Sequence, residues 1–600
     1  MSDALEQLKL HYPDIVMKNI GKNSRAYVIA NLSTNHEGNP TLACELIEAA
    51  CKCGADYVLM ELDEHTNPFS CEDIKNFHKL AQDNGAVFTT KSLVNSIRQI
   101  SPIQQFKNIN NDEDEISNDL QLAFPSIPEK DTSEDRKSYE TVDLVEKIQQ
   151  KFPKHELQFW EFQEISTCLP EVVIAIGIKA ISCKFTLDDK SIGYDHAMSI
   201  STRDFRTMVT NIRTVEIALG TGKKDKLSPS ELPCFKKLFK SIVAANNLER
   251  GSILKAEDMK IKVSDTQSMC GFYFPVVIGR QLLSEVDEDD PIFVSDFDGL
   301  QHYTHYMPFD DPIPEYIGYI PEIDLGRPIN FKSPCYIIAE IGQNHQGDIM
   351  MAKKLIKLAK KCGADCVKFQ KSCINEKFTS LARNRLYNSK NSFGTTYGEH
   401  KHFLEFTEEQ YKELRRYAVK KVGIHFTASA MDPVSFVFLQ YSFDFIVSLK
   451  VPFVKIGSGE SGNVMLLEKA AKACVPLVIS TGMQTLADIR ITFETVSRYH
   501  NHFALLHCVS AYPTPPEEAN LNMIKTLRKT FPNTIIGYSG HEVGSSLTAA
   551  SVALGAKIIE RHITLDRNMK GSDHICSLDP SQFSKLVRDI RYIERNLAIL

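Results

Sequence analysis

The chain contains two copies of one segment, and this repeat restricts its architecture more than any other feature. Residues 27–58, YVIANLSTNHEGNPTLACELIEAACKCGADYV, return at 336–367 as YIIAEIGQNHQGDIMMAKKLIKLAKKCGADCV. Later in each copy, AIGIKAISCKFTLDDKSIGYDH at 175–196 corresponds to ALGAKIIERHITLDRNMKGSDH at 553–574. Long internal repeats indicate repeated structural units, so we expect two related domains in one chain.

From residue 336 onward, short β-rich runs alternate with helical patterns, which is typical of a parallel α/β fold. The amphipathic stretches between these runs are long enough for crossover helices. We therefore predict a catalytic (β/α)8 TIM barrel over 331–600, with its functional residues at the C-terminal ends of the strands. Its eight strands are predicted at 336–341, 366–369, 425–428, 453–456, 477–480, 504–508, 535–538 and 557–563.

The first half of the chain predicts a different organisation. Residues 27–220 keep the first and last units of the barrel, which indicates a truncated, degenerate TIM-barrel-like copy. Their polar, acidic middle, 101–156, is expected to be a largely disordered insert. Residues 235–298 predict a small β-clip domain of short strands and turns. An N-terminal extension, 1–26, and a linker, 299–330, complete the predicted domain division.

Composition excludes several classes of protein. The chain is 43% hydrophobic and 24% charged, which is ordinary for a globular protein with sizeable cores. The net charge of −7 argues against a nucleic-acid-binding protein. The N-terminus lacks a signal-peptide pattern, and no apolar run is long enough to span a bilayer, so we expect a cytoplasmic protein without membrane contact. Its 15 irregularly spaced cysteines favour reduced thiols.

The predicted strand ends of the second copy carry an unusual number of polar side chains. Because these ends meet at one face of a barrel, the side chains are expected to converge there. Lysines and serines on that face would bind a small phosphorylated, carboxylated molecule. The set comprises Glu340, Lys368, Gln370, Ser429, Lys455, Ser458, Glu460, Ser480, Ser510, Tyr512, His541, Glu560 and His562.

Two of these residues form a candidate metal pair. His541 and His562 are separated by one predicted helix and one strand, so they would follow consecutive barrel strands and could reach one cation. Two neutral imidazoles leave positions open on the ion, which suits a catalytic divalent metal that polarises a carbonyl. The alternative is two unrelated histidines that are hydrogen-bonded at strand ends.

The first copy lacks these functional groups. Where the second copy has Glu340, Lys368, Gln370, Glu560 and His562, the first has Asn31, Leu59, Glu61, Ser182 and Lys184. A lysine at the position of His562 would repel a metal ion. We therefore interpret the first copy as non-catalytic.

Ordered motifs of the second copy resemble those of the sialic acid synthase family, especially its animal-type 9-phosphate synthases. The resemblance covers 331–600, and 235–298 resembles the antifreeze-like SAF domain of that family. The motifs are AEIGQNHQGD, GADCVKFQKS, TYGEHKHFLEF, FTASAMD, KIGSGE, ISTGM, LLHCVSAYPTPPE, GYSGHE, ERHITLD and KGSDH.

The resemblance implies a transferase that condenses phosphoenolpyruvate with N-acetylmannosamine 6-phosphate. The product would be N-acetylneuraminate 9-phosphate, with release of phosphate. One alternative is a synthase that uses the unphosphorylated sugar, and another is a non-catalytic sugar-binding or scaffold protein. The implied cofactor is Mn²⁺ or Mg²⁺, bound by His541 and His562.

The resemblance also assigns roles to the other residues. Lys368, Ser429, Lys455, Ser458, Ser480 and Ser510 would hold phosphoenolpyruvate. Gln370, Tyr512 and Asp573 would face the sugar together with Glu340, and Ser539 is a further substrate-binding candidate. The implied catalytic carboxylates are Glu340, Glu460 and Glu560.

The assembly that the resemblance implies is either a homodimer or an intramolecular pseudo-dimer. In the latter, 235–298 would cover the active site of 331–600; the alternative is a separate tethered module. A cation-rich loop, 377–401, could receive a sugar phosphate or could be a solvated basic loop. The apolar run 441–450 is longer than the usual connection of the family. It would pack on the barrel, expose an aggregation-prone strand, or reflect an error in the gene model.

Overall fold

A computed structural model describes residues 25–60, 68–90, 160–162, 169–193, 195–300, 321–432 and 442–597. The chain divides into two compact units, Met1–Ile217 with Tyr592–Leu600, and Ala218–Arg591. The predicted disordered insert at 101–156 lies outside the described residues, as do residues 1–24 and most of the predicted linker.

The described part of the first unit is built on an open parallel sheet with strand order β3-β2-β1-β5-β4, and β6 pairs with β5. This agrees with the predicted truncated barrel copy. The strands are β1 (Tyr27–Asn31), β2 (Tyr57–Met60), β3 (Val87–Thr90), β4 (Trp160–Phe162), β5 (Ala180–Thr186) and β6 (Ile200–Ser201). The helices are α1 (Pro40–Lys52), α2 (Cys71–Asp83), α3 (Leu169–Ile176) and α4 (Thr202–Ala218).

The second unit begins with a small domain. Strands β7 (Lys240–Ala244) and β8 (Met259–Val263) pair in antiparallel fashion, and the short helices α5 (Leu232–Leu238) and α6 (Phe274–Val277) flank them. Its core is a cluster of buried aliphatic and aromatic side chains that includes Ile242. Short strands and turns around one small core agree with the prediction for 235–298.

A closed barrel of eight parallel strands forms most of the second unit, and the predicted TIM barrel is thereby confirmed. A two-stranded hairpin, β9 (Ile323–Asp324) and β10 (Pro328–Ile329), precedes it. The barrel strands are β11 (Tyr336–Gly342), β12 (Cys366–Lys371), β13 (His425–Ala430), β14 (Val454–Ile456), β15 (Leu477–Ser480), β16 (Phe503–Cys508), β17 (Ile535–Gly540) and β18 (Ile558–His562).

Helices surround these strands, and their ends follow from local sequence. In α7 (Ile349–Lys361), the Asp348 side chain caps the N-terminus by accepting from the Met350 amide at 2.7 Å. The other helices are α8 (Ile374–Lys377), α9 (Ser380–Asn384), α10 (Tyr397–Leu404), α11 (Glu408–Arg416, continued by a π-turn), α12 (Ser442–Ser448), α13 (Val464–Lys472), α14 (Leu486–Ser497), α15 (Pro516–Ala519), α16 (Met523–Thr530), α17 (Ser546–Ala553) and α18 (Pro580–Leu597).

The apolar insertion forms part of a helix. Within the described residues, Ser442–Ser448 is helical and buries Phe443, Phe445 and Ile446. Burial of these side chains is the outcome expected of an insertion that packs on the barrel, and an exposed strand over these residues is therefore ruled out. None of the described helices is long and apolar enough to cross a membrane.

The two copies share a strand register as well as a sequence pattern. In the barrel, Glu340 on β11 lies beside Lys368 on β12 and His562 on β18. In the first unit, Asn31 on β1 lies beside Leu59 on β2 and Lys184 on β5. The equivalent positions therefore occupy equivalent places, and the copies differ in the side chains that stand there.

Candidate active site

Neighbouring barrel strands bring the predicted polar residues together. The register places Gln370 beside Ser429, Ser429 beside Lys455, and Ser539 beside Glu560. Since all eight strands are parallel, these residues share the C-terminal end of the barrel, where TIM-barrel active sites lie. The convergence expected from sequence is thus observed.

Four charged side chains form a buried network at this end. Lys368 Nζ lies 2.9 Å from Glu340 Oε2 and 3.5 Å from Glu560 Oε1, and Lys455 Nζ lies 3.9 Å from Glu560 Oε2. All four residues are at most 5% exposed. Isolated charges at such depth would be costly, so each carboxylate depends on a lysine partner.

The network shifts the pKa of both lysines, in opposite directions. Burial lowers the pKa of Lys368, but Glu340 and Glu560 outweigh burial and raise it. For Lys455, burial dominates; Glu560 opposes it and Lys368 adds repulsion, so the pKa falls to about 8. Lys368 is therefore a permanent cation, whereas Lys455 loses its proton near the upper end of the physiological range.

Serine hydroxyls extend the two lysines into an anion-binding surface. Lys455 Nζ donates to Ser480 Oγ at 2.7 Å, and Lys368 Nζ donates to Ser429 Oγ at 3.1 Å. Ser539 Oγ donates to Glu560 Oε1 at 3.2 Å. Lysine charges combined with hydroxyl groups are suited to phosphate and carboxylate ligands.

A glycine allows two further serines to approach each other. A Cβ atom at Gly482 would lie 2.2 Å from Ser510 Oγ and 2.6 Å from Ser458 Oγ, distances that no side chain tolerates. The Gly482 amide donates to Ser458 Oγ at 3.1 Å. The absence of a side chain at 482 therefore keeps these hydroxyls beside one backbone amide.

The two predicted metal-binding histidines lie side by side, with ring centroids 5.5 Å apart. His541 Nδ1 is 3.1 Å from the Val509 carbonyl oxygen, which leaves Nε2 as the ring nitrogen for another partner. His562 Nδ1 is buried without a hydrogen-bond partner. A histidine held through one nitrogen by a carbonyl is the usual arrangement of a metal ligand, and His541 shows it. The unpartnered nitrogen of His562 beside it would be a second donor for a divalent ion.

No group of three or more acidic, histidine or cysteine side chains that could hold a metal occurs in the part of the chain that the structure describes. A divalent ion held by the histidine pair alone would keep several coordination positions for substrate and water.

The residues predicted to face the sugar lie around this pair. Gln370 Nε2 donates to Glu340 Oε1 at 2.8 Å, and the Tyr512 ring lies 4.3 Å from the His541 ring. Asp573 precedes the short 3₁₀ turn His574–Cys576. Burial raises the pKa of Asp573, but His562 and the Ser572 hydroxyl more than offset this and lower it.

Glu460 has a partner that the sequence did not reveal. Its Oε2 atom lies 2.7 Å from Nζ of Lys240, the first residue of β7 in the small domain, and both side chains are buried. Removing one member of a buried pair costs about 3–5 kcal/mol, so this contact ties the small domain to the barrel. The predicted catalytic carboxylate Glu460 is thus also a docking residue.

Residues just before the small domain reach the same strand ends. Lys224 Nζ donates to the carbonyl oxygens of Thr481 (2.9 Å) and Cys508 (3.1 Å). Glu231 Oε1 accepts from the amides of Met483 (2.8 Å) and Ser510 (3.0 Å). The only sequence signal here was the Ser228–Glu231 capping box, which indicates a helix start and gives no tertiary partner.

Several contacts join the small domain to the loops that follow β12. Val263 pairs with Phe378 in an isolated bridge, and the Ser380 amide donates to Asp289 Oδ2 at 2.7 Å. A Cβ atom at Gly271 would lie 2.7 Å from the Gly462 carbonyl oxygen, which indicates close backbone packing. Residues 218–298 therefore contact the C-terminal end of the barrel, as the cover hypothesis requires.

In the first unit, the corresponding positions hold no such charge network. Asn31 and Ser182 are buried polar residues, and Leu59 replaces the lysine of β12. Lys184 Nζ pairs with Asp195 Oδ1 at 2.6 Å, so the lysine at the His562 position is joined to the aspartate at the Asp573 position. Glu61 lies outside the described residues.

Comparison with known proteins places these residues in a family context. A profile of the NeuB family matches residues 140–224 and 355–598, more than half of the chain. The N-acetylneuraminate-9-phosphate synthase of Mus musculus is 52% identical over 276 residues, 46% of this chain and 75% of that protein. The enzymes of that name from Homo sapiens and Drosophila melanogaster are each 51% identical, over 75% and 67% of their lengths.

The contacts of Glu231 give a prediction that amide exchange can test. In Glu231→Ala, the amides of Met483 and Ser510 lose their acceptor, and we expect each to exchange at least tenfold faster, measured by hydrogen exchange of the full chain. Glu231→Gln keeps an oxygen acceptor, so both amides should exchange at rates between those of the wild type and of Glu231→Ala.

Glu257→Ala is the control, because Glu257 is an exposed glutamate of the small domain that follows Glu231. Unchanged exchange at both amides in a folded Glu231→Ala protein would contradict the docking role.

Proposed function

Because the chain belongs to the NeuB family, we propose that its barrel condenses phosphoenolpyruvate with N-acetylmannosamine 6-phosphate to give N-acetylneuraminate 9-phosphate and inorganic phosphate. The observation that carries this proposal is the buried set of lysines, serines and carboxylates at the strand ends. The identity to mouse and human enzymes named for this product supports the choice of sugar.

The reaction joins the methylene carbon of phosphoenolpyruvate to the aldehyde carbon of the open-chain sugar. Water adds to the neighbouring carbon, and phosphate leaves with cleavage of its C–O bond. Lys368 and Lys455 would neutralise the phosphate and carboxylate groups of phosphoenolpyruvate, and Ser429, Ser458 and Ser510 would complete their hydrogen bonds. Phosphoenolpyruvate held in this way beside the sugar would react faster, because the two reacting carbons are kept close together.

The three carboxylates have distinct surroundings that suit distinct roles. Glu340 holds Gln370 through one oxygen and Lys368 through the other, so it would orient the sugar-facing amide. Glu560 accepts from Ser539 and lies between the two lysines. We propose Glu340 and Glu560 as the groups that orient water or carry a proton, and Glu460 as a sugar contact fixed by Lys240.

The histidine pair is the proposed metal site. His541 and His562 would hold Mn²⁺ or Mg²⁺, and Tyr512 and Asp573 would lie next to it. A bound divalent cation would polarise the aldehyde of the sugar. The unpartnered Nδ1 atom of His562 is the structural observation that favours a ligand there.

We also propose that residues 218–298 serve as an SAF-like cover for the barrel, supported by the Lys240–Glu460 pair and the Glu231 contacts. The first copy would have no catalytic activity, because Lys184 pairs with Asp195 at the positions where the barrel has His562 and Asp573. The pseudo-dimer of the two halves stays a prediction.

The acceptor sugar can be tested directly. With Mn²⁺ and phosphoenolpyruvate, we expect the full chain to release phosphate with N-acetylmannosamine 6-phosphate, at a kcat/KM at least tenfold above that with N-acetylmannosamine.

Lys368→Met should lose at least 100-fold in kcat/KM for phosphoenolpyruvate, because it removes the cation shared by Glu340 and Glu560.

Lys361→Met, at the end of α7 and away from the strand ends, is the matched control for Lys368→Met. No phosphate release with either sugar from folded, metal-loaded protein would favour a binding protein over an enzyme.

Metal removal gives a second prediction. Treatment with a chelator should abolish phosphate release, and Mn²⁺ should restore it. His562→Ala should need a higher Mn²⁺ concentration for half-maximal activity, measured by titration, because one of two protein ligands is lost. His502→Ala alters an exposed histidine and should reach half-maximal activity at the same Mn²⁺ concentration as the wild type. Full activity in the chelator would rule out the metal site.

The position of Lys455 predicts a pH dependence. Its pKa of about 8 means that the cation is present below pH 8 and is lost as the pH rises through that value. At saturating sugar phosphate, kcat/KM for phosphoenolpyruvate should therefore fall above about pH 8, measured by initial rates between pH 6.5 and 9.5. A flat profile up to pH 9.5 would mean that the Lys455 cation does not bind substrate.

A further inference from the structure

The cation-rich loop at 377–401 separates in the structure into two groups of side chains. Arg385 Nη1 lies 3.2 Å from Asp265 Oδ1 of the small domain, and Arg383 donates to Ser380 Oγ at 3.1 Å. By contrast, Lys377 on α8 is only 5% exposed, and Lys401 on α10 donates to Gln343 Oε1 at 2.8 Å. Lys401 is therefore directed toward the loop that follows β11, and Lys377 is buried near Glu460 and Lys240.

Two further lysines meet them from the segment that leads into the small domain. Lys237 Nζ lies 4.9 Å from the ring centre of Tyr397, and Lys401 Nζ lies 5.6 Å from it. The guanidinium of Arg385, which is paired with Asp265, also lies over this ring at 4.6 Å. Lys240 Nζ is the partner of Glu460. One aromatic ring and one carboxylate thus connect lysines from both parts of the second unit.

Among the residues that the structure describes, Lys240 is the one lysine of these four with a carboxylate within ion-pair distance. Lys377 Nζ lies 5.6 Å from the centre of the Phe378 ring but forms neither a hydrogen bond nor an ion pair with any residue that the structure describes, although the side chain is almost fully buried. Burial lowers the pKa of Lys377 to about 7; Glu460 opposes this, while Lys240 and Lys401 lower it further. A buried cation without an anion at ion-pair distance is costly, and buried lysines with a lowered pKa are characteristic of ligand sites.

The cluster also lies beside the sugar side of the proposed active site. Glu460, next to Lys240 and Lys377, follows the strand that carries Lys455. Burial lowers the pKa of Lys401, and Asp573, one of the sugar-facing candidates, partly offsets this effect through its negative charge. Asp573 therefore lies near the cluster. An acceptor with its aldehyde at the histidine pair could extend toward these lysines.

We propose that Lys237, Lys240, Lys377 and Lys401 form the receptor for the phosphate of the acceptor sugar, assembled partly from the barrel and partly from the segment that covers it. The ligand class is a hexosamine phosphate monoester. Lysine ammonium groups bind such a dianion as point charges, and its binding would offset the repulsion among the four cations. This inference rests on the proposed function and assigns its acceptor specificity to this chain's own residues.

Kinetics of the full chain would test the receptor. Lys377→Met keeps the length of the side chain and removes its charge, so KM for N-acetylmannosamine 6-phosphate should rise at least tenfold. KM for phosphoenolpyruvate and kcat/KM with unphosphorylated N-acetylmannosamine should change less than twofold. Lys401→Met should shift the same constants in the same direction, and Lys377→Arg should retain more of the preference for the phosphorylated sugar.

Lys354→Met is the control, because Lys354 is exposed on α7. A stability measurement separates a ligand-binding lysine from a structural one. Without sugar phosphate, Lys377→Met should unfold at the same temperature as the wild type or higher, since an unpaired buried charge is removed. A structural lysine would instead lower the unfolding temperature and leave KM unchanged.

The outcomes also separate this inference from the proposed function. If the wild type uses the phosphorylated sugar but Lys377→Met and Lys401→Met have the same KM for it as the wild type, the proposed phosphate receptor is wrong. The proposed function is then unaffected. If the wild type releases phosphate with neither sugar, the proposed function is wrong and the receptor falls with it.

Discussion

The buried charges at the C-terminal end of the barrel are the constraint on which the rest of the site depends. Glu340, Lys368, Lys455 and Glu560 come from four different strands, and none could remain charged at that depth without the others. Only a closed barrel brings β18 back beside β11, so closure of the sheet and balance of the charges are achieved together. Lysines, serines and histidines are arranged around this balanced core.

The first copy shows that the fold does not require those charges. It keeps the β1–β2 and β1–β5 registers with Asn31, Leu59 and Ser182 in place of the charged residues, and its described strands form an open sheet. Apolar strand faces and crossover helices are enough to specify that sheet. The comparison within one chain therefore separates the positions that build the framework from those that carry the buried charges of the barrel.

Much of the barrel could be predicted from sequence, because buried parallel strands read as continuous apolar runs and their polar ends mark the site. Each predicted strand lies within two residues of the observed one. The contacts of Lys224, Glu231 and Lys240 could not be predicted, since local patterns carry no information on distant partners. For the same reason the sequence could not distinguish Lys377, which is buried, from Lys390 of the same loop, which is exposed.

Residues 218–298 and the barrel that they contact belong to one polypeptide, and this changes how the site is completed. When a covering element comes from a second molecule, the fraction of complete sites falls as the protein is diluted. Here the two parts are tethered, so their effective concentration is set by the connecting chain and is independent of the amount of protein. A single copy at very low abundance would keep the contacts between residues 218–298 and the barrel.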